Sequence, residues 1–259
     1  MSGWETLFRR LPSRSTKALT LLVLSLLTVT IVRLRQTDRT PSAEMLAQLQ
    51  SRTPPGMVLV PGGDFWFGTD DADADDDVKP KRRISLASFY IDVHEVTNAE
   101  FHEFDRSHVF LASQARLPVT NVTYDRAATY AHWAGKRLPT EEEWEKAARG
   151  TDGRRYPWGD VWDPHRVAQR AHSATGSAPP KLQQNLTCYL GPPRVRPVES
   201  LPNGVSPYGC YDMAGNAWEW VQGFYNDNRQ MRILRGGAVG YGENADRTYN
   251  RAIEGAGDT

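Results

Sequence analysis

Hydrophobic and polar positions divide the chain into three stretches. Residues 18–32 (ALTLLVLSLLTVTIV) form an uncharged, mostly apolar run, with Arg9, Arg10, Arg14 and Lys17 before it and Arg33, Arg35 and Arg39 after it. As a helix the run spans roughly 22 Å, against a hydrocarbon core of about 30 Å, so snorkelling flanks or local thinning would close the gap. A cleaved signal peptide needs small residues at the position where Arg33 and Arg35 stand. The pattern therefore predicts an uncleaved signal anchor at 18–32, a cytoplasmic segment at 1–17 and a stalk at 33–55, with a helical patch over 43–49. The rest of the chain, 56–259, reads as one globular unit on the far side of the membrane, which would be the periplasm in a bacterium.

Within that unit the periodicities are short. Residues 57–60 predict a strand that ends at Pro61-Gly62-Gly63, residues 65–68 a second, and residues 84–93 a third. Thr97 and Glu100 have capping-box spacing ahead of Phe101 and Phe104, which predicts a helix. A second helix is predicted over 123–135, with Ala127, Tyr130, Ala131 and Ala134 on one face. A third begins at Thr140, boxed by Glu143, carries Trp144, Ala147 and Ala148 on its apolar side and stops at Gly150. Beyond Gly150, turn residues alternate with aromatics and helical periodicity fades. The fold class is α+β with a high loop content.

Composition narrows the function. The chain has 259 residues with 39% hydrophobic and 24% charged positions, and 31 basic against 31 acidic side chains. Zero net charge disfavours nucleic acid as a partner. Only two cysteines, Cys188 and Cys210, are present, too few for a disulfide scaffold. Residues 70–77 (DDADADDD) lack the Gly and Glu of an EF-hand loop and read as a solvated acidic loop. No His-Glu-x-x-His, Gly-x-Ser-x-Gly or phosphate-loop motif occurs. Trp158, Trp162, Trp218 and Trp220 could line a pocket, but core packing is the plainer reading.

Several motifs together carry a resemblance. They are Val93-His-Glu-Val-Thr-Asn98, Gly135-Lys-Arg-Leu-Pro-Thr-Glu-Glu-Glu-Trp-Glu-Lys-Ala-Ala-Arg-Gly150, Tyr156-Pro-Trp-Gly159, Pro202-Asn-Gly204, Tyr211-Asp-Met-Ala-Gly-Asn-Ala-Trp-Glu-Trp220 and Arg232-Ile-Leu-Arg-Gly-Gly237. In this order they resemble the formylglycine-generating enzyme family, the sulfatase-modifying factor domain, over roughly residues 56–251. The resemblance implies a compact, loop-rich fold related to C-type lectins, with bound calcium. It also implies oxidation of a sulfatase cysteine to formylglycine, using copper held by two cysteines. A closing strand with Gly-Phe-Arg, usual in the family, is not found before Thr259, so the C-terminal strand is expected to be missing.

Carried over residue by residue, the resemblance splits. Alignment on Gly236 and Gly237 places the cysteine pair at Tyr241 and Asp246, neither of which offers the thiolate that copper(I) needs, so copper is not expected. Arg247 and Tyr249 are their neighbours. The calcium loop is kept: the side chains of Asp212 and Glu219 and the carbonyls of Gly215 and Ala217 would be its ligands, a hard-oxygen set that suits the ion. The family's other calcium loop falls in the divergent stretch 168–196 and cannot be placed. Cys188 and Cys210 could form a disulfide outside the cytoplasm. The leading expectation is an anchored, calcium-stabilised binding or accessory module of an envelope assembly, with a protein partner. Alternatives are a cysteine-independent oxidoreductase built on Tyr241, Asp246, Arg247 and Tyr249, and a carbohydrate-binding module.

Overall fold

The computed structural model describes residues 40–168, 195–225 and 230–255. Helix α1 (Ala43–Ser51) is N-capped by Ser42 and is followed by strands β1 (Met57–Val60) and β2 (Gly63–Phe67). The single strand expected over 84–93 is two: β3 (Arg82–Leu86) and β4 (Phe89–Asp92). They part at Ala87 and Ser88, where the Ser88 hydroxyl accepts the Gly62 N–H at 2.8 Å, so each half pairs with a different partner. β1 runs antiparallel to β4, from Met57↔Asp92 to Val60↔Phe89, and β2 antiparallel to β3, from Gly63↔Leu86 to Phe67↔Arg82.

Three helices follow where the capping signals put them. α2 (Asn98–Phe104) and α4 (Glu141–Arg149) both carry complete capping boxes, and α3 (Tyr124–Trp133) is capped by Thr123. A second sheet region, β5 (Glu219–Trp220), β6 (Met231–Arg235) and β7 (Ala252–Gly255), is antiparallel with β6 in the middle. β7 is paired with β6 from Met231↔Gly255 to Leu234↔Ala252, a strand that the sequence pattern did not signal. The helical patch at 43–49 is not a free spacer: the Tyr90 hydroxyl donates to the Leu49 carbonyl at 2.7 Å and ties α1 to the domain. The apolar run at 18–32 lies outside the described residues, among which no helix is long and apolar enough to cross a membrane.

The core is centred on α4. Trp144, Ala147 and Ala148 pack with Val60, Cys210, Met213, Val221 and Ile233. The charged side chains of the same helix are buried too: Glu145, Lys146 and Arg149 are at most 1% exposed. Glu145 accepts from the Gly68 N–H, Arg149 and Arg235, each at 2.7 Å. Arg149 donates to the carbonyls of Gly68 at 2.8 Å and Arg154 at 3.0 Å. Arg235 donates to those of Thr248 at 2.6 Å and Tyr249 at 3.2 Å. Lys146 donates to Pro61 and Gly63 at 2.7 and 3.0 Å, and burial draws its ammonium down to about 8. Apart from that of Gly63 in β2, these carbonyls lie in loops outside the sheet ladders, and an unpaired one would be costly.

The acidic run is not simply solvated. Asp71 receives the Tyr249 hydroxyl at 2.7 Å and pairs with Arg155 at 2.9 Å. Asp73 pairs with Arg247 at 2.7 Å, and Asp77 with Arg251. Arg247, Tyr249 and Arg251 all reach the acidic loop from a segment that turns at 247–250 before it enters β7. The loop's approach needs Gly68, whose φ is +74° and whose Cβ, were one present, would lie 2.6 Å from the Val78 carbonyl oxygen.

Removing one partner from the buried network leaves the others unpaired. Glu145→Ala is expected to lose about 3–5 kcal/mol of folding stability, against about 1 kcal/mol for the cap change Thr140→Ala. Urea unfolding followed by Trp fluorescence checks both; equal losses would remove Glu145 from its central place.

Candidate functional site

The loop expected to bind calcium joins the core to β5. Asp212, Gly215 and Asn216 have φ of 56°, 79° and 63°, so the backbone turns repeatedly through the left-handed region. The Gly215 N–H donates to the Gly236 carbonyl at 2.7 Å, and the Asn216 carbonyl accepts from Val239 at 3.1 Å. Asp212 is 7% exposed and accepts the Glu199 N–H at 3.2 Å. Glu219 Oε2 accepts from Trp144 Nε1 at 3.0 Å, which links the loop to the middle of the core.

Glu95, from the motif at the start of α2, enters the same place. Its two oxygens accept from Asn216 Nδ2 at 2.6 Å and from the Ala217 N–H at 2.8 Å, and it is 8% exposed. Burial, then Asp212 and Glu219, holds its carboxyl well above the usual range. Burial likewise raises Asp212 and pushes Glu219 up to about 8, with Asp212 and Asp92 adding to the rise at Glu219. Carboxylates gathered this way repel one another and lack water, the condition that a bound cation relieves.

The donor set fits calcium. A Cβ on Gly236 would lie 3.5 Å from Glu219 Oε1 and 3.8 Å from the Ala217 carbonyl oxygen, so both oxygens face one bare Cα. Among the described residues, neither the Gly215 nor the Ala217 carbonyl accepts a hydrogen bond. Among the described residues, no three His, Cys, Asp or Glu side chains converge as a ready ligand group. An ion at this loop thus depends on backbone carbonyls, which hard calcium accepts and soft metals do not favour.

The positions aligned with the cysteine pair look different. Tyr241 is 40% exposed and its ring meets Trp218 edge to face at 5.5 Å. Asp246 is fully buried and accepts from Trp162 Nε1 at 3.3 Å. Arg247 and Tyr249 are directed to Asp73 and Asp71 in the acidic loop. Tyr241 and Asp246 therefore share one loop, while Arg247 and Tyr249 brace it from behind. Cys210 is buried, and burial pushes its thiol up to about 12, far from a reactive thiolate. Cys188 lies outside the described residues.

The four tryptophans have different surroundings. Trp158 stacks on Tyr156 at 5.5 Å, and Trp220 donates to the Val122 carbonyl at 2.8 Å. Trp158 alone of the four lines a cleft of about 300 Å³, with Asp160, Val161, Asp163 and Arg166. A neighbouring polar cleft of about 430 Å³ is lined by Thr69, Asp71, Lys81, Arg154 and Arg155. Glu95 and Asn216 escaped the sequence reading. The signal available for Glu95 was a carboxylate set between Val93 and Val96.

A family model described as the sulfatase-modifying factor enzyme 1-like domain matches residues 42–258. The chain belongs to that family. It is 33% identical over 242 residues to the "Inactive C-alpha-formylglycine-generating enzyme 2" of Mus musculus, covering 73% of this chain and 76% of that protein. It is 32% identical over 226 residues to the formylglycine-generating enzyme of Thermomonospora curvata, covering 66% and 72%. The solved structure of PvdO from Pseudomonas aeruginosa has the same fold, with a TM-score of 0.59 at 23% identity over 78% of this chain and 89% of that one. The family match begins at the N-terminus of α1, in keeping with that helix being tied to the domain. The α+β, loop-rich fold expected for a sulfatase-modifying factor domain is the one observed.

The buried carboxylates make a pH prediction. Glu219 rises from 4.5 to about 8, so between those values the folded, calcium-free protein holds a proton that the unfolded chain has released. Its stability falls as pH rises through that window. Melting temperatures in chelator should decrease from about pH 5 to about pH 8, and saturating calcium should flatten the slope. A melting temperature in chelator that rises over this range would contradict the burial argument.

Proposed function

We propose that this chain is a membrane-anchored, extracytoplasmic member of the family that does not make formylglycine and acts as a calcium-stabilised binding or accessory module. One observation carries the reading. At the positions aligned with the cysteine pair stand an exposed Tyr241 and a fully buried Asp246, held by Trp162. No cysteine follows Cys210 in the sequence, so no thiolate pair can form in this loop. Likeness to a mouse relative named as inactive supports the same conclusion. Anchoring is supported by the apolar run at 18–32 with cationic residues on both sides.

In this reading calcium would be held by Asp212 and Glu219 with the carbonyls of Gly215 and Ala217, and its charge would offset the buried carboxylates. The protein's own residues do the rest. Trp144 orients Glu219, Glu199 orients Asp212, and the Gly236–Gly215 bond keeps the loop beside β6. A cysteine-independent oxidoreductase is less well supported, because Arg247 and Tyr249 are engaged with Asp73 and Asp71.

Elemental mass spectrometry of the full chain, purified in detergent and dialysed, should find near-stoichiometric calcium and no copper or iron. A cysteine-containing sulfatase peptide incubated with it in air should remain unmodified by peptide mass. Formylglycine in the peptide, or stoichiometric copper, would overturn the reading. Calcium at about 100-fold excess over its dissociation constant should add about 2.7 kcal/mol of stability, and Asp212→Ala should abolish that gain.

A further inference from the structure

We propose that Glu95 is the positioning residue of the calcium loop, bridging the Asn216 side chain and the Ala217 amide so that the two carbonyl ligands are set at a fixed separation. This rests on the calcium reading above. Glu95 belongs to none of the expected ligands and reaches the loop from more than 120 positions away in the chain.

One peptide plane sets the geometry of the loop. Gly215 and Ala217 would supply the carbonyls, and the plane joining Asn216 to Ala217 lies between them. A peptide unit is rigid, so fixing both its ends fixes the plane. Here its carbonyl accepts from Val239 at 3.1 Å, and its N–H donates to Glu95 Oε1 at 2.8 Å. The second Glu95 oxygen takes Asn216 Nδ2 at 2.6 Å. Asn216 stands at φ 63°, a left-handed conformation that asparagine tolerates better than most residues. Its side chain also accepts from Arg196 N–H at 2.9 Å and donates to the Arg196 carbonyl at 3.3 Å, so its amide group is held from two directions.

Charge assigns Glu95 a further part. Glu95 and Asp212 are both buried, at 8% and 7% exposure, and Glu95 meets the loop directly through Asn216 and Ala217. A neutral hydrogen-bonding side chain could brace the loop but would not add to the field that attracts a cation. A carboxylate does both. A residue with a purely structural role would support the fold equally with and without calcium, and this difference separates the two cases.

The test uses the full chain, stripped with chelator and titrated with calcium chloride by calorimetry, with melting temperatures taken in chelator and in excess calcium. Glu95→Gln is expected to weaken calcium binding by about 10- to 100-fold, the range for residues that orient metal ligands. Its melting temperature in excess calcium should fall further than in chelator. Asn216→Gly keeps the left-handed backbone but removes the side-chain contact with Glu95, and it should also weaken binding. It decides the matter if Glu95→Gln does not fold. Unchanged calcium affinity in a folded variant, with equal melting losses in both conditions, would overturn the proposal and leave Glu95 a structural residue. A parent protein that shows neither binding heat nor a calcium-dependent melting shift would instead sink the calcium reading, and this proposal with it.

Discussion

The rest of the structure hangs on the buried charged side of α4. A domain with two two-stranded sheets and one small three-stranded sheet leaves many backbone groups without a ladder partner. Glu145, Lys146 and Arg149, joined by Arg235 from β6, collect those groups at Gly63, Gly68, Arg154, Thr248 and neighbouring positions. Each buried charge is matched by opposite charge or by carbonyl dipoles, the condition under which ionised groups can remain inside a protein. The apolar side of the same helix supplies the packing. One nine-residue helix thus carries both the hydrophobic core and the hydrogen bonds of the loops around it.

The calcium loop is attached to that centre at two points. Trp144 donates to Glu219, and Gly236, directly after the β6 arginine, stands against both the Trp144 ring and the Glu219 carboxylate. In the proposed calcium reading, a loop attached this way would be fixed from its core side, and calcium asks for oxygen donors without demanding strict geometry.

The loop that carries Tyr241 and Asp246 is fastened by residues from distant parts of the chain. Asp246 is sealed against Gly237 and Trp162, and the segment behind it is fastened to the acidic loop through Arg247, Tyr249 and Arg251. Six aspartates in eight positions look like a solvated patch when read alone. Set against an alternating Arg-Tyr-Arg segment more than 170 residues later, three of them become its partners. Ion pairs and a buried hydrogen bond hold the loop at this place.

Local signals determined the helices. Thr97 and Thr140 each cap a helix as their spacing to Glu100 and Glu143 predicts, because a cap is decided by residues within one turn, and Thr123 caps the helix expected over 123–135. Ordered motifs determined the family, and the residue types at 212–219 determined that a hard-cation loop was chemically reasonable. Contacts between distant segments were decided only by the tertiary structure. The division of 84–93 into two strands depended on a Gly62–Ser88 contact across a sheet edge. The pairing of β7 with β6, and of Asp71 and Asp73 with Tyr249 and Arg247, joined segments that no local periodicity links. Glu95 carried little local sign of its role, since an isolated carboxylate reads as a surface residue until the fold buries it beside Asn216 and Ala217. Burial and long-range hydrogen bonding belong to the folded arrangement, and a pattern read along the chain does not contain them.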